Sequence, residues 1–256
     1  MRMAIVTGAS SGLGRALVDL LCQDPAYEQI LLIARHPEEG IKRAARSSTA
    51  LVPFCADLTD IQAIGRLEAL LAQSSPDVRL LVNCAGFGKI GTWDGISAQD
   101  SAHMIDLNCR APVLLTRAVL PYMQRGARIL NICSTSAFQP FPYLNLYAAS
   151  KSFLYRYSRA LGFELRGTGI SVTAACPYWL RDTAFIPTAQ DTADSRYIRH
   201  FPFPSTAAQA ARRILLDCGK RRAVSTPGWI CSLHRVIAKV TPDALLMRLW
   251  NLLRRL

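Results

Sequence analysis

Residues 7 to 14 read TGASSGLG, directly after the apolar run MAIV and directly before GLGRALVDLLCQ, which has helical apolar spacing. A strand that stops at a glycine-rich turn and re-emerges as a helix narrows the choice of folds more than any other stretch. Glycine is required where backbone takes positive φ or approaches another group closely. The helix that follows presents unpaired N–H groups at its start, which suit a phosphate. The spacing is G-x3-G-x-G, with Gly8, Gly12 and Gly14. Ser10 and Ser11 add hydroxyl donors, and Leu13 lies inside the same turn.

The alternation that begins there continues. QILLIAR, LVPFCAD, VRLLVNCAG, ARILNICS and GISVTAAC read as buried strands. IQAIGRLEALLA, a long segment over roughly 98 to 123, and YAASKSFLYRYSRALGFEL read as helices between them. Buried strands separated by helices of this length predict a parallel sheet in an α/β fold. In such sheets ligands bind at the carboxyl edge of the strands. With 256 residues, half of them apolar, one domain of this kind is expected. No run of about 18 apolar residues occurs and no secretory signal opens the chain, so a cytoplasmic protein is expected.

Eight cysteines are scattered singly, without a CxxC pair, so neither a metal site nor a redox pair is predicted. Reduced cysteines in a reducing compartment fit this usage. The net charge of +12 suits anionic partners: nucleic acid, acidic lipid or a phosphorylated cofactor. No nucleic-acid recognition motif or aromatic–basic interleaving accompanies it, and nucleic acid is not an expected partner.

Two regions depart from the alternation. Residues 184–204, AFIPTAQDTADSRYIRHFPFP, are rich in proline and aromatics and lack clear periodicity; they suit a substrate loop or an ordinary connection. The tail, residues 227–256, reads as two basic amphipathic helices joined at Thr241-Pro242, with Thr241 expected to cap the second and Pro242 in its first turn. Arg248, Asn251 and Arg255 line one face of that helix; Leu245, Leu246, Leu249, Leu252, Leu253 and Leu256 fill the other. Packing on the parent fold, a subunit contact and a membrane-surface helix all remain open for it.

At the end of the second strand stands IARHPEE. A ribose 2′-hydroxyl reader there is Asp or Glu. Ala34, Arg35 and His36 occupy those positions instead, and an arginine pairs with a 2′-phosphate. Farther on, YAASK places Tyr147 and Lys151 four residues apart on one helical face, with only small residues between.

With TGASSGLG, NCAG at 83 to 86, Asn108, Ser134 and YAASK in this order, the chain resembles the short-chain dehydrogenase/reductase family over about residues 3 to 183. The resemblance implies a single Rossmann-type doubly wound parallel sheet with helices on both faces, spanning 1–226, with the C-terminal helical extension after it. It implies a nicotinamide dinucleotide cofactor, NADP(H) in preference to NAD(H) given Arg35. Gly8, Gly12 and Gly14 match the family's cofactor turn. Asp57, with Leu58 beside it, matches the residue at the adenine. Asn83, Ala85 and Gly86 match the NNAG motif, with Cys84 in place of its second asparagine. Asn108 matches the asparagine that supports the active-site lysine, and Ser134, Tyr147 and Lys151 match the catalytic set. Pro177 opens CPYWLRDT, which departs from the family: Tyr178 replaces a glycine, and Thr183 follows Pro177 by six residues rather than five. Ser136, Tyr178, Trp179 and Phe185 are candidates to contact substrate.

Those residues suit carbonyl reduction. Tyr147 is the acid, and Lys151, a positive charge close by, is expected to lower its pKa. Ser134 donates to the carbonyl oxygen as charge develops on it. The expected activity is interconversion of an apolar ketone, acyl-chain or sterol-like, with its secondary alcohol. A non-catalytic NADP-sensing protein is the alternative, disfavoured by the intact catalytic set. A homodimer or homotetramer is implied by the family, and peripheral membrane contact through the tail is compatible with the enzyme reading.

Overall fold

The structure is a computed structural model that describes residues 1–41, 49–192, 197–198, 201 and 203–254. Seven parallel strands form one sheet: β1 (Arg2–Thr7), β2 (Gln29–Ala34), β3 (Ala50–Cys55), β4 (Asp77–Asn83), β5 (Arg128–Ile132), β6 (Ser171–Ala175) and β7 (Val224–Ser225). Their spatial order is β3-β2-β1-β4-β5-β6-β7. The direction of winding reverses between β1 and β4, and such a reversal opens a crevice at the carboxyl edge.

Both faces of the sheet are covered. Met3 and Ile5 of β1 enter one apolar cluster with Leu31 and Ile33 of β2, roofed by α3 (Ile61–Ser74) and α5 (Ala111–Val119). Ala4 and Val6 enter the other, against α1 (Gly12–Leu21) and α8 (Ala207–Gly219). Strand period two sends neighbours to opposite faces, so a strand buried on both sides reads as an unbroken apolar run. A capping box of Thr206 and Gln209 starts α8, which the sequence pattern did not reveal. The short α2 (Glu38–Ile41) was also unforeseen.

The long helix expected over 98 to 123 is three pieces. α4 (Ala98–Ile105) runs into a π turn, Asp106–Arg110, and then into α5, with a 3₁₀ turn at Leu120–Tyr122. α6 (Asn145–Glu164) follows β5 and carries Tyr147 and Lys151. The aperiodic segment after Thr183 is not wholly irregular: α7 (Phe185–Gln190) lies inside it and buries Ala189.

The tail forms α9 (Trp229–Val240) and α10 (Asp243–Leu253). One expectation fails here: Thr241 ends α9 rather than capping α10, whose cap position falls on Pro242, with extended ψ of 140° and no side-chain cap bond. The leucine face divides: Leu246 is buried, whereas Leu245, Leu249, Leu252 and Leu253 are exposed. The inward face of α10 is instead Leu246 with Trp250, which sits edge-on to Phe141. Arg255 and Leu256 lie outside the described residues.

Candidate active site

The glycine turn leaves β1 with Gly8 at φ +66° and Gly12 at φ +51°. The Gly8 N–H donates to the Ile33 carbonyl at 2.9 Å, tying the turn to β2. A Cβ on Gly14 would collide with the Gly8 carbonyl, and one on Gly8 would reach Ala85 Cα at 3.0 Å. Thr7 fixes the other wall: its hydroxyl accepts the N–H groups of Cys84 and Ala85 at 2.9 and 3.0 Å. Ser11, the cap residue of α1, makes no side-chain cap bond, so the first-turn N–H groups stay available to an anion.

A cavity of about 390 Å³ runs from this turn to the start of α6. One end is lined by Gly8, Gly12, Gly14 and Arg35, the middle by Ala85, Gly86, Ser134 and Lys151, the far end by aromatic side chains. The closely packed glycines and open helix end fit a dinucleotide phosphate; the exposed Arg35 stands at the same end.

Tyr147 and Lys151 are buried, at 7% and 4% exposure. The Lys151 ammonium lies 5.8 Å from the Tyr147 ring centroid and donates to the Ile132 carbonyl at 2.9 Å. Ser134 follows β5, and its Oγ accepts the Ser136 N–H at 3.1 Å. Gly88 presses on the phenol ring: a Cβ there would stand 2.7 Å from Tyr147 Cδ2.

Burial raises the pKa of Tyr147, with the Ser134 hydrogen bond opposing it. Burial lowers that of Lys151. Loss of hydration is the largest influence on the phenol, and the hydrogen bond with Ser134 works against it.

Asn108 falls in the π turn and is fully buried. Its Oδ1 accepts the Phe87 N–H at 3.2 Å, and its Nδ2 donates to the Phe87 carbonyl at 2.8 Å and to Ser150 Oγ at 3.0 Å. A Cβ on Gly86 would lie 2.7 Å from Asn108 Oδ1 and 3.1 Å from Lys151 Nζ, so the asparagine and the ammonium converge on one backbone point. Single π turns recur at functional sites.

A family model described as short chain dehydrogenase matches residues 2–193. The chain belongs to the short-chain dehydrogenase family. A short chain dehydrogenase of Pseudocercospora fijiensis is 31% identical over 240 residues, 90% of this chain and 74% of that protein. A ketoacyl reductase of Nostoc sp. is 29% identical over 193 residues, 71% of this chain and 64% of that protein. Among solved structures, a short-chain dehydrogenase from Sphingobium yanoikuyae in complex with NADPH superposes with a TM-score of 0.78 at 23% identity, covering 95% of this chain and 97% of that one. A 4-hydroxyisoleucine dehydrogenase mutant complexed with NADH and succinate gives 0.71 at 20% identity, covering 84% and 90%. This short-chain dehydrogenase is an oxidoreductase.

In the dehydrogenase, most predicted residues line the cavity. Besides those already placed there, Ser11, Leu13, Ser136, Pro177 and Tyr178 do so, as do Trp179, Thr183 and Phe185. The extra residue in CPYWLRDT does not carry Thr183 away: its methyl side faces Gly12 at 3.4 Å from the position of a Cβ. Ser10, His36, Asp57, Leu58, Asn83 and Asn108 do not line it. Asp57 spends its carboxylate on Thr59, whose N–H and hydroxyl donate at 2.9 and 2.8 Å. His36 is exposed and 3.7 Å from Glu38. Asn83 turns into the sheet and donates to Asn131 at 2.8 Å.

Sequence reasoning missed Thr7 and Trp250. Thr7 precedes the glycines and reads as the last strand residue. Trp250 lies more than a hundred residues beyond Phe141, and no local pattern links them. Among the described residues no cluster of His, Cys, Asp or Glu could hold a metal, and no helix is long and apolar enough to cross a membrane.

Proposed function

We propose that this chain is an NADP(H)-dependent oxidoreductase that interconverts an apolar ketone and its secondary alcohol, with Tyr147 as general acid and base. The observation that carries the reading is one continuous cavity with the glycine turn at one end and Tyr147, Ser134 and Lys151 facing the other. A bound reduced nicotinamide supplies the hydride to the carbonyl carbon. Tyr147 gives its proton to the carbonyl oxygen, and its burial keeps that proton in place until the oxygen gains charge. Ser134 donates a hydrogen bond to the same oxygen. Lys151, anchored on the Ile132 carbonyl, offsets the cost of the phenolate that remains. Asn108 positions this group by fixing the Phe87 backbone beside Gly86.

Preference for NADP(H) rests on Arg35 at the cavity and on the lack of an acid at Ala34, Arg35 and His36. An apolar substrate is supported by the far walls, Phe141, Leu144, Trp179, Phe185 and Trp250; among the described residues that line the cavity, only Arg35 and Lys151 are charged, and both belong to the cofactor side. We read 1–226 as the catalytic unit and 227–256 as an extension that completes its wall. A homodimer or homotetramer through α6 is supported by Phe153 and Phe163, 47% and 65% exposed on that helix.

The test is turnover of NADPH against a panel of ketones graded in chain length and ring size, with NADPH and NADH titrated separately. Tyr147→Phe is expected to bind NADPH as the parent chain does and to lose turnover about a hundredfold or more. Wild-type turnover by that variant sinks the assignment, and equal affinity for both cofactors sinks the preference.

A further inference from the structure

Helices α9 and α10 are apolar outward as well as inward. On α9, Trp229, Leu233, Val236 and Val240 are 69%, 49%, 62% and 76% exposed, and steps of four, three and four residues place them on one face. On α10, Leu245, Leu249 and Leu252 repeat the first two of those steps at 56%, 48% and 61%. The opposite faces hold the fold. His234 of α9 and Trp250 of α10 both meet Phe141 edge-on, at centroid distances of 5.9 and 4.9 Å. Each helix thus has its inner face occupied and a second apolar stripe in solvent. Aligned exposed leucines on neighbouring elements mark an interaction surface rather than chance exposure.

The border of the stripes says what covers them. Lys239 and Arg248 are exposed on the flanks of the stripes, Arg235 is exposed farther round α9, and Asp243 is the only acid in either helix. A second copy docked on this face would set these cations against their own equivalents. An anionic lipid surface accepts both features: apolar side chains enter the headgroup–acyl boundary and cations pair with lipid charge. We propose that α9 and α10 dock this protein on an anionic lipid surface, with the two stripes inserted and Lys239 and Arg248 at the headgroups. Because Trp250 is both on α10 and in the cavity wall, docking brings the substrate end of the cavity to that surface. On the ketone reading, and resting on it, an apolar substrate dissolved in the lipid enters past Trp250.

Flotation of the full chain, without cofactor or substrate, tests the docking independently of the chemistry. Vesicles of phosphatidylcholine alone are compared with an equal mixture of phosphatidylcholine and phosphatidylserine. The chain is expected to float with the mixture at least about tenfold more tightly than with phosphatidylcholine, since each cation near an anionic surface contributes about fivefold. Leu233→Glu with Leu249→Glu is expected to abolish flotation while the melting temperature stays within a degree or so, because both side chains are already in solvent. Lys239→Gln with Arg248→Gln is expected to lose about 25-fold on the mixture alone. No flotation of the parent chain, or undiminished flotation of the glutamate variant, overturns the proposal. So does a parent oligomer in vesicle-free buffer that the glutamate variant breaks down, which assigns the stripes to a second copy.

Discussion

Ser136 lines the cavity two residues after Ser134, is 5% exposed, and its Oγ has no hydrogen-bond partner. A buried hydroxyl without a partner weakens a fold, so we propose that this one serves what enters the cavity. Ser136→Ala is expected to leave the melting temperature unchanged or slightly higher and to raise KM for the ketone about two- to tenfold, the loss of one hydrogen bond. A fall in stability with KM unchanged would make the hydroxyl structural. Residues of this kind divide by how legible they are. Ser134, Tyr147 and Lys151 could be read because their types recur at fixed spacing on one strand end and one helix. The direction of the Tyr147 pKa could not: it depends on how completely the fold dehydrates the phenol. Thr7 was legible only as strand, because its hydroxyl acts on Cys84 and Ala85, brought beside it by the pairing of β1 with β4.

The elements follow the same logic. Apolar strands between helices were readable because a doubly covered parallel sheet leaves no polar positions in its strands. The π turn at Asp106–Arg110 was not, since no residue type specifies it. It is held by Asn108, whose amide satisfies both the N–H and the carbonyl of Phe87. Asn108→Ala leaves those buried groups without that partner, at about 1–3 kcal/mol each. The expected outcome is a fall in melting temperature of several degrees together with loss of turnover. If turnover falls and stability does not, the asparagine acts on the reacting groups rather than through the Phe87 backbone. α10 teaches a different limit. Its leucine spacing gave a face, but periodicity does not say which side of a helix the rest of the molecule covers; Leu246 and Trp250 took the inner side, and Leu245, Leu249, Leu252 and Leu253 were left outside.

Across the whole molecule, the two halves of the sheet are pinned by contacts between distant segments. Tyr27, after α1, is 3% exposed and accepts a hydrogen bond from Arg128 of β5 at 2.7 Å. Burial pushes its pKa up to about 12. A phenol whose pKa is raised by folding contributes stability that is complete below the unfolded value near 10 and is lost as pH climbs toward 12. The urea midpoint of the parent chain is expected to drop steeply over that interval, by up to about 3 kcal/mol from this group. Tyr27→Phe is expected to drop less steeply, though not flatly, because buried Tyr147 shifts the same way. An identical pH profile for the two chains would remove Tyr27 from the account. The order of the strands also has a consequence in time. Synthesis delivers the phosphate turn at residues 8–14 first, but its partner wall at Cys84 and Ala85 waits for β4, and the aromatic wall waits for Trp250. A growing chain therefore completes the glycine-turn half of the cavity well before its aromatic half, and for that interval the apolar chamber stands open on one side.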